Sequence, residues 1–194
     1  MRERITNLTS NIFNPFSVGF VVIVLVSVDS TASILDALKW SLILIALSVL
    51  PVYAVIIYLV RSKRIESLFI NVRKQRTKVY LLTGVCIGVS YVILRYFEAP
   101  PLLLATSVAG LSAVVVFMGI NLRWKISTHS AFVAALVAIL IILYGWMAAV
   151  TVVLVPLTAW ARIRLEHHSL AQVATGALLA ALIVVVVFYL FGLV

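Results

Sequence analysis

The sequence predicts an all-α, polytopic membrane protein, a transmembrane bundle of six or seven spans. Three observations carry that reading. Of 194 residues, 64% are hydrophobic and only 11% charged, where an ordinary soluble domain runs about half apolar and about a quarter charged. The apolar residues fall in blocks near the ~20 residues that cross a bilayer core. None of the blocks alternates with a period of two, which favours helices, whose backbone groups are satisfied internally in lipid, over barrel strands. A soluble globular domain and a disordered chain are both excluded. The spans use up the length, so residues 1–194 read as a single integral membrane domain.

Seven apolar segments run over about 13–29, 37–60, 79–97, 102–121, 129–145, 147–161 and 170–193. The first follows a basic stretch and resembles a signal peptide, but it is read as a retained span. Asp29, Ser30 and Thr31 end it, and Asp36 is placed to cap the second. The third holds Gly84 and Gly88, a small-residue spacing that lets helices approach closely, within the bundle or across a homodimer. It also holds Cys86, the single cysteine, so there is no disulfide framework. Glu98, Pro100 and Pro101 separate the third from the fourth. Tyr144, Gly145 and Trp146 divide the fifth from the sixth as a tight hairpin with an interfacial aromatic.

The net charge of +9 is laid out asymmetrically. Arg2 and Arg4 precede the first span. Arg61, Lys63, Arg64, Arg73, Lys74, Arg76 and Lys78 lie between the second and third, Arg123 and Lys125 between the fourth and fifth, and Arg162 and Arg164 between the sixth and seventh. With seven spans these all share one face, leaving only Lys39 and Arg95 near the other. Basic short loops stay cytoplasmic, so the expectation is a cell-membrane protein with its N-terminus inside and its C-terminus outside. Most of these residues set topology and touch anionic lipid headgroups, with no nucleic-acid partner. The sequon Asn7-Leu8-Thr9 then lies inside and is read as accidental.

All three histidines, His129, His167 and His168, fall at inner helix ends beside arginine or serine. Imidazoles grouped with guanidinium groups suit phosphoryl transfer: arginine neutralises nonbridging oxygens, one histidine attacks and another protonates the leaving group. Two stretches stand out. Ile126-Ser127-Thr128-His129 opens the fifth span, where a hydroxyl and backbone N–H groups at a helix start suit an anion. Ala161-Arg162 is followed after five residues by His168 and after three more by Gln172; His168 and Gln172, one helical turn apart, share a face.

This pair resembles the second and third motifs of the type-2 phosphatidic-acid phosphatase superfamily, which includes lipid phosphate phosphatases and vanadium haloperoxidases. The family's Pro-Ser-Gly-His reads Ile126-Ser127-Thr128-His129 here. Its Ser-Arg, five residues, His, three residues, Asp reads Ala161-Arg162, His168 and Gln172. The family's first motif, Lys, six residues, Arg-Pro, is not present in that form; its nearest candidate is Arg76-Thr77, with Arg73 and Lys78 beside it and no lysine at the family distance before it, in a loop two spans before the second motif. The resemblance covers about residues 124 to 180, within a motif-bearing core of about 61–193. It implies a phosphatidic-acid-phosphatase-like core and the removal of a terminal phosphate from an isoprenoid or glycerolipid phosphate or diphosphate. His168 would be the nucleophile forming a phosphohistidine, Gln172 its orienting partner and His129 the proton donor. Arg162, Ser127, Thr128, Arg73, Arg76 and Lys78 would bind phosphate. Gln172 carries no negative charge where the family has aspartate, and Thr128 crowds the place of a glycine. The alternative is a degenerate relative that binds anionic headgroups or serves as a scaffold.

The acids Glu3, Asp29, Asp36, Glu66, Glu98 and Glu166 are scattered over both faces, so no metal site or cofactor is expected, and carboxylate-paired magnesium transferases are disfavoured. A transporter is disfavoured because the spans lack mid-membrane charges.

Overall fold

The structure, a computed structural model, describes residues 2–64 and 73–194; of the side chains in these ranges, those of Arg2, Glu3, Arg73 and Lys74 are not described. Among the described residues all regular structure is helical. Five helices are long and apolar enough to cross a membrane, or six if one bent pair near the N-terminus is a single span. That is an integral membrane protein by length and composition. The chain forms two compact units, Met1–Gly19 with Lys125–Val194, and Phe20–Trp124.

The seven expected segments meet this count in an instructive way. The first becomes α2 (Pro15–Asp29), only fifteen residues long and preceded by a separate helix, α1 (Arg2–Ile12), that the hydropathy pattern did not announce. Asn14 makes the break: its Oδ1 accepts from the N–H groups of Phe16 and Ser17 at 2.9 and 3.0 Å, capping α2 just before Pro15. The fifth and sixth segments form one helical stretch, Thr128–Arg164, turned at the expected place. Gly145 has φ of +62°, a value that favours glycine, and ends α7 (Thr128–Tyr144). The chain then returns along α7 as a 3-10 helix, Gly145–Val153, and α8 (Leu154–Arg164).

In the unit Phe20–Trp124, α3 (Ile34–Leu44) runs through a π turn, Ile45–Val49, into α4 (Leu50–Arg61). Pro51 lacks an N–H and its ring would meet the Leu47 carbonyl in a regular helix; the widened turn absorbs both. The cap of α3 is Ser33, not Asp36. Ser33 is extended (φ −123°, ψ 144°) and its Oγ accepts from Asp36 N at 3.1 Å. Asp36, three residues on, instead accepts from the Ser33 hydroxyl and the Lys39 ammonium at 2.9 and 3.2 Å. Next, α5 (Arg73–Tyr96) packs along α6 (Pro101–Asn121), which Pro101 opens at its first position. Gly84 does lie against Val114 of α6, whereas a β-carbon on Gly88 would meet open space. Among the described residues, therefore, the two glycines form no continuous seam.

In the other unit, α7 packs closely on α9 (Leu170–Leu190), α8 packs against both, and α1 lies on α8. Val133, Val173 and Phe188 are enclosed in its core.

Candidate anion-binding site

The connectivity of the first unit gathers three helix ends. Because α7 and the segment ending in α8 are antiparallel and only Leu165–Ser169 joins α8 to α9, the starts of α7 and α9 and the end of α8 share one end of the unit. Two of the three ends are N-termini, whose outward N–H groups and positive dipole ends favour an anion.

Each of these starts is capped by serine. Ser127 Oγ accepts from Ser130 N at 3.4 Å and shares a 3.1 Å hydrogen bond with the Ser130 hydroxyl, all of it buried. Ser169 and Gln172 form a capping box: Ser169 Oγ accepts from Gln172 N at 3.4 Å, and Gln172 Oε1 accepts from Ser169 N at 3.2 Å. The two motif stretches touch through backbone. Ser127 N donates to the Gln172 carbonyl at 3.2 Å, and this approach requires Gly176. A β-carbon there would stand 2.6 Å from the Ser127 carbonyl oxygen. Lys125 adds a second tie, its Nζ donating to the His167 carbonyl at 2.9 Å.

The expected pairing of His168 with Gln172 is present, Nδ1 to Oε1 at 3.1 Å. Since Oε1 already takes the Ser169 N–H, it is the amide oxygen that faces the ring, and Nδ1 is the donor. The lone pair then sits on Nε2, the nitrogen suited to attack phosphorus. His129, in the first turn of α7, is 3% exposed; Arg162, in the last turn of α8, is 2% exposed; His168 is 8% exposed. Thr128 and Gln172 are half-buried. Arg162 Nη1 donates to Ser10 Oγ of α1 at 2.8 Å, a bond between residues 152 apart in the chain.

His167 reports the local potential. Burial first, then the charges of Arg162 and Lys125, push its pKa below the ordinary 6.5. Charges that disfavour an imidazolium favour an anion at the same place.

The first-motif candidates lie in the other unit. Arg76 is buried on α5, with Nη2 donating to Tyr80 OH at 3.3 Å and its guanidinium 5.8 Å from the Tyr80 ring centre. Asn121 Nδ2 donates to the neighbouring Thr77 at 3.2 Å. Lys78 is exposed. The side chain of Arg73, and Glu66 with the rest of 65–72, lie outside the described residues. Among the described residues no three His, Cys, Asp or Glu side chains group as a metal site.

Sequence reasoning missed Ser10, Ser130 and Lys125. A signal for Ser10 existed: Thr6, Thr9 and Ser10 repeat at helical spacing before the first span, with Ile5, Leu8 and Ile12 on an adjoining line. The chain matches no family model, no curated protein and no solved structure.

Proposed function

We propose that this chain is a metal-independent phosphatase of membrane lipid phosphates, releasing a terminal phosphate from an isoprenoid or glycerolipid phosphate or diphosphate. The observation that carries the reading is the hydrogen bond from Ser127 N to the Gln172 carbonyl, which joins the two stretches that resemble the family's second and third motifs. In this reading His168 Nε2 attacks phosphorus and the bond from phosphorus to the lipid oxygen breaks. His129 gives its proton to that departing oxygen. Water then attacks the phosphohistidine, His129 takes a proton from it, the N–P bond breaks, and inorganic phosphate leaves. Arg162, with Ser127 and the Thr128 N–H, holds the nonbridging oxygens, whose charge grows in each transition state. Gln172 fixes the ring but supplies no charge to offset the cation on phosphorylated His168.

All basic residues except Lys39 and Arg95 fall on the loops and helix ends assigned to one face, and that asymmetry supports a cytoplasmic N-terminus and a site opening at the inner headgroup layer. The lipid tail would remain in the bilayer while the phosphate reaches Arg162.

The test is phosphate release from dispersed phosphatidate and polyprenyl phosphates by purified protein in chelator. Release is expected, and His168→Ala should lower it by about 10³-fold or more, the scale of losing a covalent nucleophile. Release that requires a divalent metal, or that survives in His168→Ala, overturns the mechanism. The uncharged Gln172 favours one second reading, a site that binds lipid phosphate without turning it over. Tight binding with neither release nor an acid-labile phosphoryl label on histidine would select it.

A further inference from the structure

The structure assigns α1 to the membrane surface: we infer that it lies along the headgroup layer with one strip of side chains seated in lipid. Nine of its eleven residues, Arg4 to Ile12, divide into three strips. Thr6, Thr9 and Ser10 are buried, on the side where α1 meets α8 and Ser10 meets Arg162. Ile5, Leu8 and Ile12, at i, i+3 and i+7, are 50%, 61% and 54% exposed. Arg4, Asn7 and Asn11, at the same spacing one position earlier, are exposed and polar. At 3.6 residues per turn the strip centres are roughly a third of the circumference apart.

Each strip calls for a different neighbour. The hydroxyl strip has the protein. The apolar strip wants hydrocarbon, and the Arg4/Asn7/Asn11 strip wants water or headgroups. Only a helix lying at the boundary gives all three at once, since a spanning helix would press arginine and two asparagines into acyl chains or carry three large apolar side chains through water. The charge agrees: Arg2 and Arg4 outnumber Glu3 at its start, and the arginine in the polar strip is complementary to anionic headgroups. At the break made by Asn14 the directions of α1 and α2 differ by 41°, so with α1 along the surface α2 slants into the bilayer instead of entering it upright. The occupant of the apolar strip is therefore a lipid surface. Through the Ser10–Arg162 bond, that seat sets the depth of the anion site at the headgroup layer. The placement of α1 does not depend on whether the site turns over its ligand.

Nitroxide labels placed one at a time by Ile5→Cys, Leu8→Cys and Ile12→Cys, in full-length protein carrying Cys86→Ala and reconstituted in phosphatidylcholine–phosphatidylglycerol vesicles, test this by collision with oxygen and with a water-soluble nickel chelate. These positions are at least half exposed, so the labels need not enter the core. The expected result is oxygen access with nickel shielding at all three, at one common depth of about 5–10 Å. Labels from Arg4→Cys, Asn7→Cys and Asn11→Cys should collide with nickel. A depth that increases by about 10 Å from position 5 to position 12, at ~1.5 Å per residue, makes α1 part of a span and overturns the inference. Nickel access at all six positions overturns it as well. None of these outcomes involves phosphate release, so failure here and failure of the phosphatase reading are distinguishable.

Discussion

Arg162 and Arg76 are both buried arginines at helix ends, yet they are held in different ways. Arg76 reaches Tyr80, one turn along its own helix. Arg162 reaches Ser10, on a helix at the opposite end of the sequence. A local partner shields a guanidinium and helps fix its rotamer, and any intact α5 supplies it. A remote partner orients the guanidinium only when α1, α8 and their packing are all in place, so its geometry belongs to the tertiary fold. Fixed guanidinium forks of that kind recognise tetrahedral anions, and lysine, a point charge on a flexible stem, does not replace them. The sharpest way to break the comparison is to make the same substitution twice. Arg162→Lys should lower phosphate release by about 10²-fold, equivalent to about 2.7 kcal/mol of transition-state stabilisation. Arg76→Lys should lower it by less than about tenfold, because the charge survives and the Tyr80 contact is local. Equal losses from the two would show that both arginines bind the reacting phosphate.

The glycines repeat the contrast with smaller stakes. Gly176 accommodates a backbone oxygen of the other motif stretch, and a methyl group there must displace main chain. Gly88 faces open space on α5. Gly176→Ala is therefore expected to cost about 1–3 kcal/mol of stability, as overpacking does, and to lower activity with it. Gly88→Ala should be neutral or stabilising by up to ~1 kcal/mol from helix propensity. Thermal unfolding in detergent, followed with release assays, reads both. If Gly88→Ala instead disrupts a dimer on size-exclusion chromatography, its open face is a contact between copies of the chain.

How much of this was legible in the sequence follows from the range of each interaction. The helical class and the turn at Gly145 were legible because hydropathy and backbone permissiveness act within one or two turns. The His168–Gln172 pair was legible for the same reason, since i,i+4 spacing fixes the geometry once a helix is granted. Asp36 was misplaced by three residues because Ser33 and Asp36 both satisfy a helix start, and only φ and ψ say which lies outside the helix. The Ser10–Arg162 bond and the passage of Ser127 over Gly176 were not legible, since each joins residues far apart in sequence: the hydroxyl spacing of α1 and the charge of Arg162 mark the partners but not their pairing. Helix α1 escaped notice because its apolar residues are a strip, and a hydropathy window averages a strip away.

The smallest effect tests whether the positive potential sensed by His167 is a property of the assembled site. His167 has its pKa pushed below 6.5 by burial and by Arg162 and Lys125. A neutral imidazole in the folded protein and an ordinary one in the unfolded chain mean that the unfolded state binds more protons below about pH 6.5. Stability should then rise with pH up to that value and fall as the pH drops through the lowered pKa. In His167→Gln this part of the slope should vanish, and in Lys125→Met it should shrink, because one of the two repelling charges is gone. No comparable change is expected from Lys78→Met, an exposed residue in the other unit. The measurement is the unfolding midpoint between pH 5 and 8 in each variant, with the buffer's ionic strength held low so that the Lys125 contribution is not screened. An unchanged slope in His167→Gln would mean that the ring titrates as it does in water, and that the potential at the α8–α9 turn is weaker than the positions of Arg162 and Lys125 imply.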